Sequence, residues 1–173
     1  MANEQNLKLI NEAIEKHDIA IWNKWRQENP DIRPDLSGAD LRRAYLKKAI
    51  LHGVIFRDVN LRETDLSYAD LSKSDLNKAN LIRTHLSAAN LTEANFSEAN
   101  LDGANFGDAL LLEADLNKAN LEDNVKKLSL SQIRTAKNWE TAYYCKGILE
   151  DLGLPLGHNE TLRKGIEEKK AKE

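Results

Sequence analysis

The segment that decides the fold reads L-S-A-A-N-L-T-E-A-N-F-S-E-A-N-L-D-G-A-N-F, from Leu86 to Phe106. Leucine or phenylalanine, the ladder residue, returns at every fifth position. The rhythm continues in both directions without a gap, from Leu36 to Leu121, and comprises 18 repeats. Alanine stands two positions before the ladder residue in 12 repeats, and aspartate or asparagine one position before it in 13. The motif A-(D/N)-L-x-x is therefore an internal repeat, which outweighs any other signal in the chain.

A period of five fits neither a single helix nor a flat strand. On an α-helix, at about 100° per residue, successive ladder residues would spiral around the axis. On a flat strand they would alternate between opposite faces. A short strand followed by a turn lets alanine and the ladder residue both point inward, because strand side chains alternate with period two. The chain then bends once per repeat and closes on itself, with the ladder inside and the other three positions facing water.

The motif resembles that of the pentapeptide-repeat family. The resemblance implies a right-handed quadrilateral β-helix with four repeats per coil, which for 18 repeats is about 4.5 coils. The predicted fold class is an all-β solenoid with α-helical caps, whose β-helix spans residues 34–125. Numbering by 20 predicts which ladder residues stack. The four faces begin at Leu36, Leu41, Leu46 and Leu51, and these are called the first to fourth face below.

Residues 1–33 are predicted to form an N-terminal helical cap. Between about Asn3 and Glu28, an apolar stripe recurs at helical spacings; its residues are Leu7, Ile10, Ile14, His17, Ile21 and Trp25. The pair His17-Asp18 is expected to divide this helix, with Asp18 as N-cap of the second half. A solenoid must cover the core and strand edges of its first coil, although the helix could instead bind a partner. The run W-N-K-W-R-Q-E-N-P, leading into P-D-L-S-G-A-D-L, is also similar to cap segments of cyanobacterial family members.

Residues 126–157 are predicted to form a C-terminal helical cap, and their run S-Q-I-R-T-A-K-N-W-E resembles the end segment of many family members. Ser131 is the expected N-cap of its first helix, and Gly153 is expected to help end its last. The apolar residues expected on one helical face are Trp139, Tyr143, Tyr144, Ile148, Leu149 and Leu152. Two of them, Tyr143 and Tyr144, could instead mark a docking surface. The charged tail, residues 158–173, is expected to be disordered or a frayed helix.

Composition narrows the class of protein. The length of 173 residues suits one domain, and 31% charged against 6% aromatic residues is too polar for a large globular core but suits a narrow solenoid. Cys145 is the only cysteine, so no intramolecular disulfide can form. The N-terminus lacks the pattern of a secretory signal, and the apolar runs are too short to span a membrane. We therefore expect a cytoplasmic protein without a membrane partner.

Several outward positions break the polar pattern. Three successive residues before a ladder residue are apolar or aromatic, and two leucines flank Leu111. These residues, a candidate protein-binding surface, are Tyr45, Ile50, Ile55, Leu110 and Leu112. The alternative is that the two caps fold back over them.

Charge is uneven along the repeats. Residues 34–78 contain 8 basic and 7 acidic side chains, a net of +1, and residues 79–123 contain 2 basic and 8 acidic, a net of −6. Some family members resemble a DNA duplex in shape and negative charge and inhibit DNA gyrase, so the alternative function is a DNA-mimicking regulator of gyrase or topoisomerase. The basic cluster Arg42, Arg43, Lys47 and Lys48 argues against mimicry. No aromatic stacking platform is evident beside it, so a solvated face is favoured over nucleic-acid binding.

No catalytic, metal-binding or cofactor-binding motif is visible. The four histidines and the single cysteine lack metal-ligand spacing, and no glycine-rich phosphate loop or nucleophile elbow occurs. A filled prism with polar walls also offers no water-poor pocket for catalysis. The sequence therefore predicts a monomeric, non-enzymatic rod without cofactor or metal, which acts as a protein-protein interaction or scaffold module.

Overall fold

The computed structural model describes residues 2–122 and 125–170. Its repeat region is a parallel β-helix in which bridges join residues 20 positions apart, such as Asp40 with Asn60 and Asn60 with Asn80. Each face contributes an isolated bridge per coil rather than a longer strand. The regular strands β1 (Asn120–Leu121) and β2 (Tyr143–Tyr144) pair in parallel after the last full coil. Of the predicted repeat region, residues 123 and 124 lie outside the described residues.

The ladder fills the interior as predicted. All the ladder residues from Leu36 to Leu121 are buried, as are the mostly small residues two positions before them. Two threonines at these small positions are satisfied by backbone, since the hydroxyls of Thr64 and Thr84 donate to Leu41 O and Leu61 O at 2.7 and 2.8 Å. The equally buried Ser74 differs, because its hydroxyl has no hydrogen-bond partner among the described residues.

Each turn depends on the aspartate or asparagine that precedes the ladder residue. All 13 accept a hydrogen bond from the backbone N–H two residues later, as Asp65 Oδ1 does from Ser67 N at 2.9 Å, forming an Asx turn. The residue after that donor has positive φ in every repeat from Gly38 to Lys118. The expectation that these acidic and amide side chains simply face water was incomplete, because they also hold the corner.

Two helices cover the N-terminal end. Helix α1 (Glu4–Glu15) is capped by the Asn3 side chain, and helix α2 spans Ala20–Glu28. The break at His17-Asp18 occurs as predicted, and His17 has a φ of 52°. Asp18 Oδ1 accepts the Ala20 N–H at 3.0 Å, although Ile19, not Asp18, immediately precedes the helix. Trp22, which falls outside the predicted apolar stripe, is fully buried.

The C-terminal segment is only partly helical, which corrects two expectations. Helix α3 (Leu130–Thr135) is capped by Ser129 in a capping box with Gln132, not by Ser131. Tyr143 and Tyr144 form β2 instead of continuing a helical face, because their backbone pairs with the last repeat. A 3-10 helix spans Trp139–Thr141, and helix α4 (Lys146–Leu152) ends as expected at Gly153, which has a φ of 73°.

Of the two alternatives expected for the tail, the structure shows a helix, α5, which spans His158–Lys170. Polar contacts rather than an apolar stripe dock its first two turns. Asn159 donates to Tyr144 O at 2.8 Å and accepts from Tyr144 N at 3.1 Å, and Arg163 pairs with Glu122. His158 is buried against Tyr144. These specific contacts carry no hydrophobic periodicity, which explains why the sequence pattern did not distinguish disorder from a frayed helix. The expectation for residues 171–173 falls outside the described residues.

Candidate interaction surfaces

The five predicted surface residues do not form one patch. Tyr45 lies on the third face, Ile55 on the first, and Ile50 and Leu110 on the fourth but three coils apart. Leu110 and Leu112 lie two residues apart, on the fourth face and at the corner that follows it. The structure therefore does not bring all five residues together, because the repeat distributes neighbouring pentads around the rod.

Ile50 and Ile55 belong to the structure of the first coils. Ile50 N donates to Asn23 Oδ1 at 2.8 Å, and Ile50 O accepts from Trp22 Nε1 at 2.9 Å. Ile55 pairs with the segment before the first ladder residue, through its N–H to Pro34 O at 2.9 Å. Both isoleucines are half-buried. Helix α2 therefore contacts the backbone of Ile50, in keeping with the alternative prediction. The Ile55 bond is instead the one that later repeats also make to the preceding coil, as Asn60 N does to Ala39 O.

Leu110 and Leu112 remain exposed, at 60% and 53%. The C-terminal segment passes beside them without covering them. Instead, the Gln132 side chain of α3 donates to Phe106 O and Ala109 O, both at 2.9 Å, and so satisfies these two carbonyls next to Leu110. The prediction that the cap would cover these leucines is therefore wrong. They form an exposed apolar pair, called the Leu110–Leu112 surface below.

Tyr45 is 54% exposed and has an aromatic neighbour that sequence reasoning missed. Tyr68, which lies one coil further along near the same corner, is 58% exposed, and Lys47 Nζ lies 5.5 Å from its ring centroid. Two exposed tyrosines therefore lie beside the basic cluster, where the sequence indicated no aromatic stacking platform. Numbering by 20 would have found this pair, because it places residue 68 directly over residue 48 of that cluster.

The basic cluster is partly neutralised by acidic neighbours. Arg42 binds Asp40 at 2.7 Å, and this hydrogen bond holds the pKa of Asp40 below its ordinary value. Glu63 accepts a hydrogen bond from Arg43 Nε at 2.8 Å and also lies near Arg62. The hydrogen bond from Arg43 is the main cause of the lowered pKa of Glu63. Asp40 is exposed and Glu63 is half-buried, so solvent screens the Arg42–Asp40 pair more strongly than the Arg43–Glu63 pair. The first coil nevertheless retains four basic side chains, two of which are lysines.

Within residues 2–122 and 125–170, no group of three or more His, Cys, Asp or Glu side chains could hold a metal ion. None of the helices in the same ranges has the length and apolar character needed to cross a lipid bilayer.

A β-helix built from A-(D/N)-L-x-x corners is the structure that pentapeptide repeats form. The family model described as a pentapeptide repeat region matches residues 33–106. Residues 33–106 are therefore a pentapeptide-repeat region of the kind that defines this family. Comparison with curated proteins gives no match.

Solved structures of the same family are similar to this chain. A pentapeptide-repeat protein of the Arabidopsis thaliana thylakoid lumen is 31% identical, with 52% of this chain and 66% of that one covered and a TM-score of 0.35. One from the cyanobacterium Cyanothece is 25% identical, with 70% and 97% covered and a TM-score of 0.38. HetL of Nostoc, a protein involved in heterocyst differentiation regulation, is 30% identical, with 65% and 60% covered and a TM-score of 0.27. The chain thus spans about two thirds or less of the Arabidopsis protein and HetL.

Proposed function

We propose that this chain is a non-enzymatic, right-handed pentapeptide-repeat rod of about 4.5 coils, closed by helical segments, that binds another protein. The observation that carries this proposal is the Leu110–Leu112 surface. On a rod whose outward positions are otherwise mostly polar and engaged in corner hydrogen bonds, two adjacent leucines stay more than half exposed. Exposed apolar side chains of this kind are typical of protein-binding sites.

The position of these leucines supports binding rather than folding. Leu110 occupies a site where most repeats place an aspartate or asparagine that accepts the corner N–H, so this repeat lacks that hydrogen bond. The backbone carbonyl of Ala109, next to Leu110, accepts a hydrogen bond from the Gln132 side chain, and the leucine side chain contributes none. A leucine here therefore gives up a local stabilising interaction without gaining burial in the free protein, and a bound partner would supply that burial.

The test is affinity capture from the native host with the full chain and two variants, followed by mass spectrometry. Leu110→Asn/Leu112→Asn restores the polar corner, and we expect it to lose the captured protein, because the apolar contact is removed. Leu156→Asn is the matched control, since Leu156 is also 60% exposed but lies outside the repeats. Equal capture by all three proteins would exclude the Leu110–Leu112 surface.

A DNA-mimicking regulator of gyrase or topoisomerase has less support. The first coil presents Arg42, Arg43, Lys47 and Lys48, whereas a duplex mimic needs a continuous negative surface along its length. If the chain nevertheless acts in this way, it inhibits supercoiling by gyrase at low concentration. Supercoiling that persists at a large excess of the chain would exclude this function.

A further inference from the structure

Each coil is bonded to the one before it through the residue that precedes the ladder residue. Asn60 is representative, since its N–H donates to Ala39 O at 2.9 Å and its carbonyl accepts from Leu41 N at 2.8 Å. The first coil has no coil before it. Its four equivalent residues, one on each face, are Asp35, Asp40, Tyr45 and Ile50.

Helices α1 and α2 satisfy two of these four residues. On the first face, Asp35 O accepts from Asn3 N at 2.8 Å and Asp35 N donates to Asn6 Oδ1 at 3.2 Å. On the fourth face, both backbone groups of Ile50 are bonded by side chains of α2, as described above. The helices therefore replace the missing coil on two adjacent faces.

The second and third faces are different. Among the described residues, neither the N–H nor the carbonyl of Asp40 or of Tyr45 has a hydrogen-bond partner. Both residues are exposed. An unpaired strand edge of this kind is a template on which another extended chain can add hydrogen bonds. The backbone of Asp40 and Tyr45 is called the open edge below.

The charge beside the open edge selects its occupant. Arg42 and Arg43 form the corner between the two open faces and pair with Asp40 and Glu63. Lys47 and Lys48 form the next corner, and neither has an ion pair among the described residues. Like charges repel a second copy of the same edge, whereas an acidic strand is attracted. We propose that the open edge binds an acidic, extended segment of another protein, which adds one bridge to each open face. This goes beyond the Leu110–Leu112 surface, and shares with it only the general premise that the rod binds proteins.

The geometry also limits the shape of the segment. A segment that pairs with both Asp40 and Tyr45 must bend at the Arg42-Arg43 corner, with its two bridging residues spaced as they are in the repeat itself. Acidic side chains at its corner would then lie beside the two arginines. The probe for this proposal is a peptide of two acidic pentads, Ala-Glu-Leu-Glu-Gly repeated once.

The experiment titrates the full chain with this peptide and follows binding together with backbone amide exchange. We expect saturable binding that slows exchange at the amides of Asp40 and Tyr45. The same peptide with N-methylated backbone amides keeps its charge but loses its donors, so we expect affinity to fall about tenfold or more. A peptide with lysine in place of glutamate is expected not to bind.

Variants of the chain separate this site from general attraction. Lys47→Glu/Lys48→Glu should weaken binding by about tenfold or more, whereas Lys78→Glu/Lys118→Glu, the same charge change at another corner, should not. Three outcomes overturn the proposal: no binding, equal binding of the N-methylated peptide, or equal effects of the two double variants. Oligothymidylate that binds more tightly than the acidic peptide would also overturn it, and would assign Tyr45 and Tyr68 to nucleic-acid stacking. None of these outcomes depends on Leu110 or Leu112, so the two proposals fail separately.

Discussion

The two ends of the rod are closed in different ways. At the N-terminal end, helices α1 and α2 pack against the first coil, and on the fourth face only side chains of α2 bond its backbone. There Asn23 donates to Lys48 O at 3.0 Å and Arg26 to His52 O at 2.9 Å. This closure acts only where the helices lie, which leaves two faces open.

At the C-terminal end, the chain itself continues the coil. Lys126, Lys137 and Tyr143 form bridges with Asn105, Asp115 and Asn120, on three successive faces. On the fourth face, a hydrogen bond from the Gln132 side chain to Ala109 O replaces the backbone bridge. Backbone closure needs no special side chains on three faces, whereas closure by side chains concentrates stability in a few residues. The ends should therefore respond differently to the same kind of substitution.

The largest difference is expected for tryptophan. Trp22 is fully buried and bonds Ile50 O, whereas Trp139 in the C-terminal segment is only half-buried. Trp22→Ala should lower the free energy of unfolding by about 3–5 kcal/mol, because it leaves a cavity and an unpaired carbonyl. Trp139→Ala should cost about half of that or less, in proportion to the smaller area buried. Urea unfolding followed by circular dichroism measures both, and equal losses would contradict the comparison.

A matched pair of asparagines, one at each end of the rod, tests the same difference between the two ends. Asn23 bonds the edge of the first coil, and Asn159 bonds both backbone groups of Tyr144 at the other end. We expect Asn23→Leu to cost about 2 kcal/mol and Asn159→Leu about 1 kcal/mol, because β2 stays paired with β1 when Asn159 is lost. Urea unfolding gives the energies, and amide exchange at Ile50 and Tyr144 locates the change. A larger cost at Asn159 would show that backbone pairing does not protect the C-terminal end.

The features that follow from periodicity were predictable from sequence. A period of five with alanine and leucine inward determines what is buried, and resemblance to the family supplied four repeats per coil. The α1–α2 break followed from His17-Asp18. Each of these depends on a local pattern that repeats or has a known cap or turn chemistry.

The features that depend on single contacts were not predictable. Tyr143 and Tyr144 have helical spacing with their neighbours, yet pairing with the last repeat makes them a strand. Helix α5 is docked by Asn159 and Arg163, which leave no apolar stripe. The exposure of Leu110 depends on the path of α3. The Gln132 side chain of α3 bonds the neighbouring Ala109 carbonyl and leaves the leucine uncovered. Sequence patterns record periodic burial and omit such long-range polar contacts.

Two corner glycines, one near each end of the rod, allow the same substitution to be compared at both ends. Gly53 in the first coil and Gly103 near the last both have positive φ, where alanine is strained. A Cβ at Gly53 would meet open space, but one at Gly103 would lie 3.1 Å from Arg83 Cγ. Gly53→Ala should cost about 1 kcal/mol and Gly103→Ala somewhat more, measured by urea unfolding. The opposite order would mean that the Arg83 side chain moves aside freely.

An effect of similar size to that at Gly53 but of opposite sign is expected at Ser74, which lies in a coil between the two closed ends. Ser74 buries a hydroxyl that finds no partner among the described residues, whereas the Thr64 hydroxyl bonds Leu41 O. Ser74→Ala should raise the free energy of unfolding by about 1 kcal/mol, because an unsatisfied polar group leaves the core. Thr64→Val, the matched change, should lower it, since Leu41 O loses its partner. If Ser74→Ala destabilises the chain instead, the hydroxyl must make a hydrogen bond in solution, and the interior of the rod must admit water at this coil.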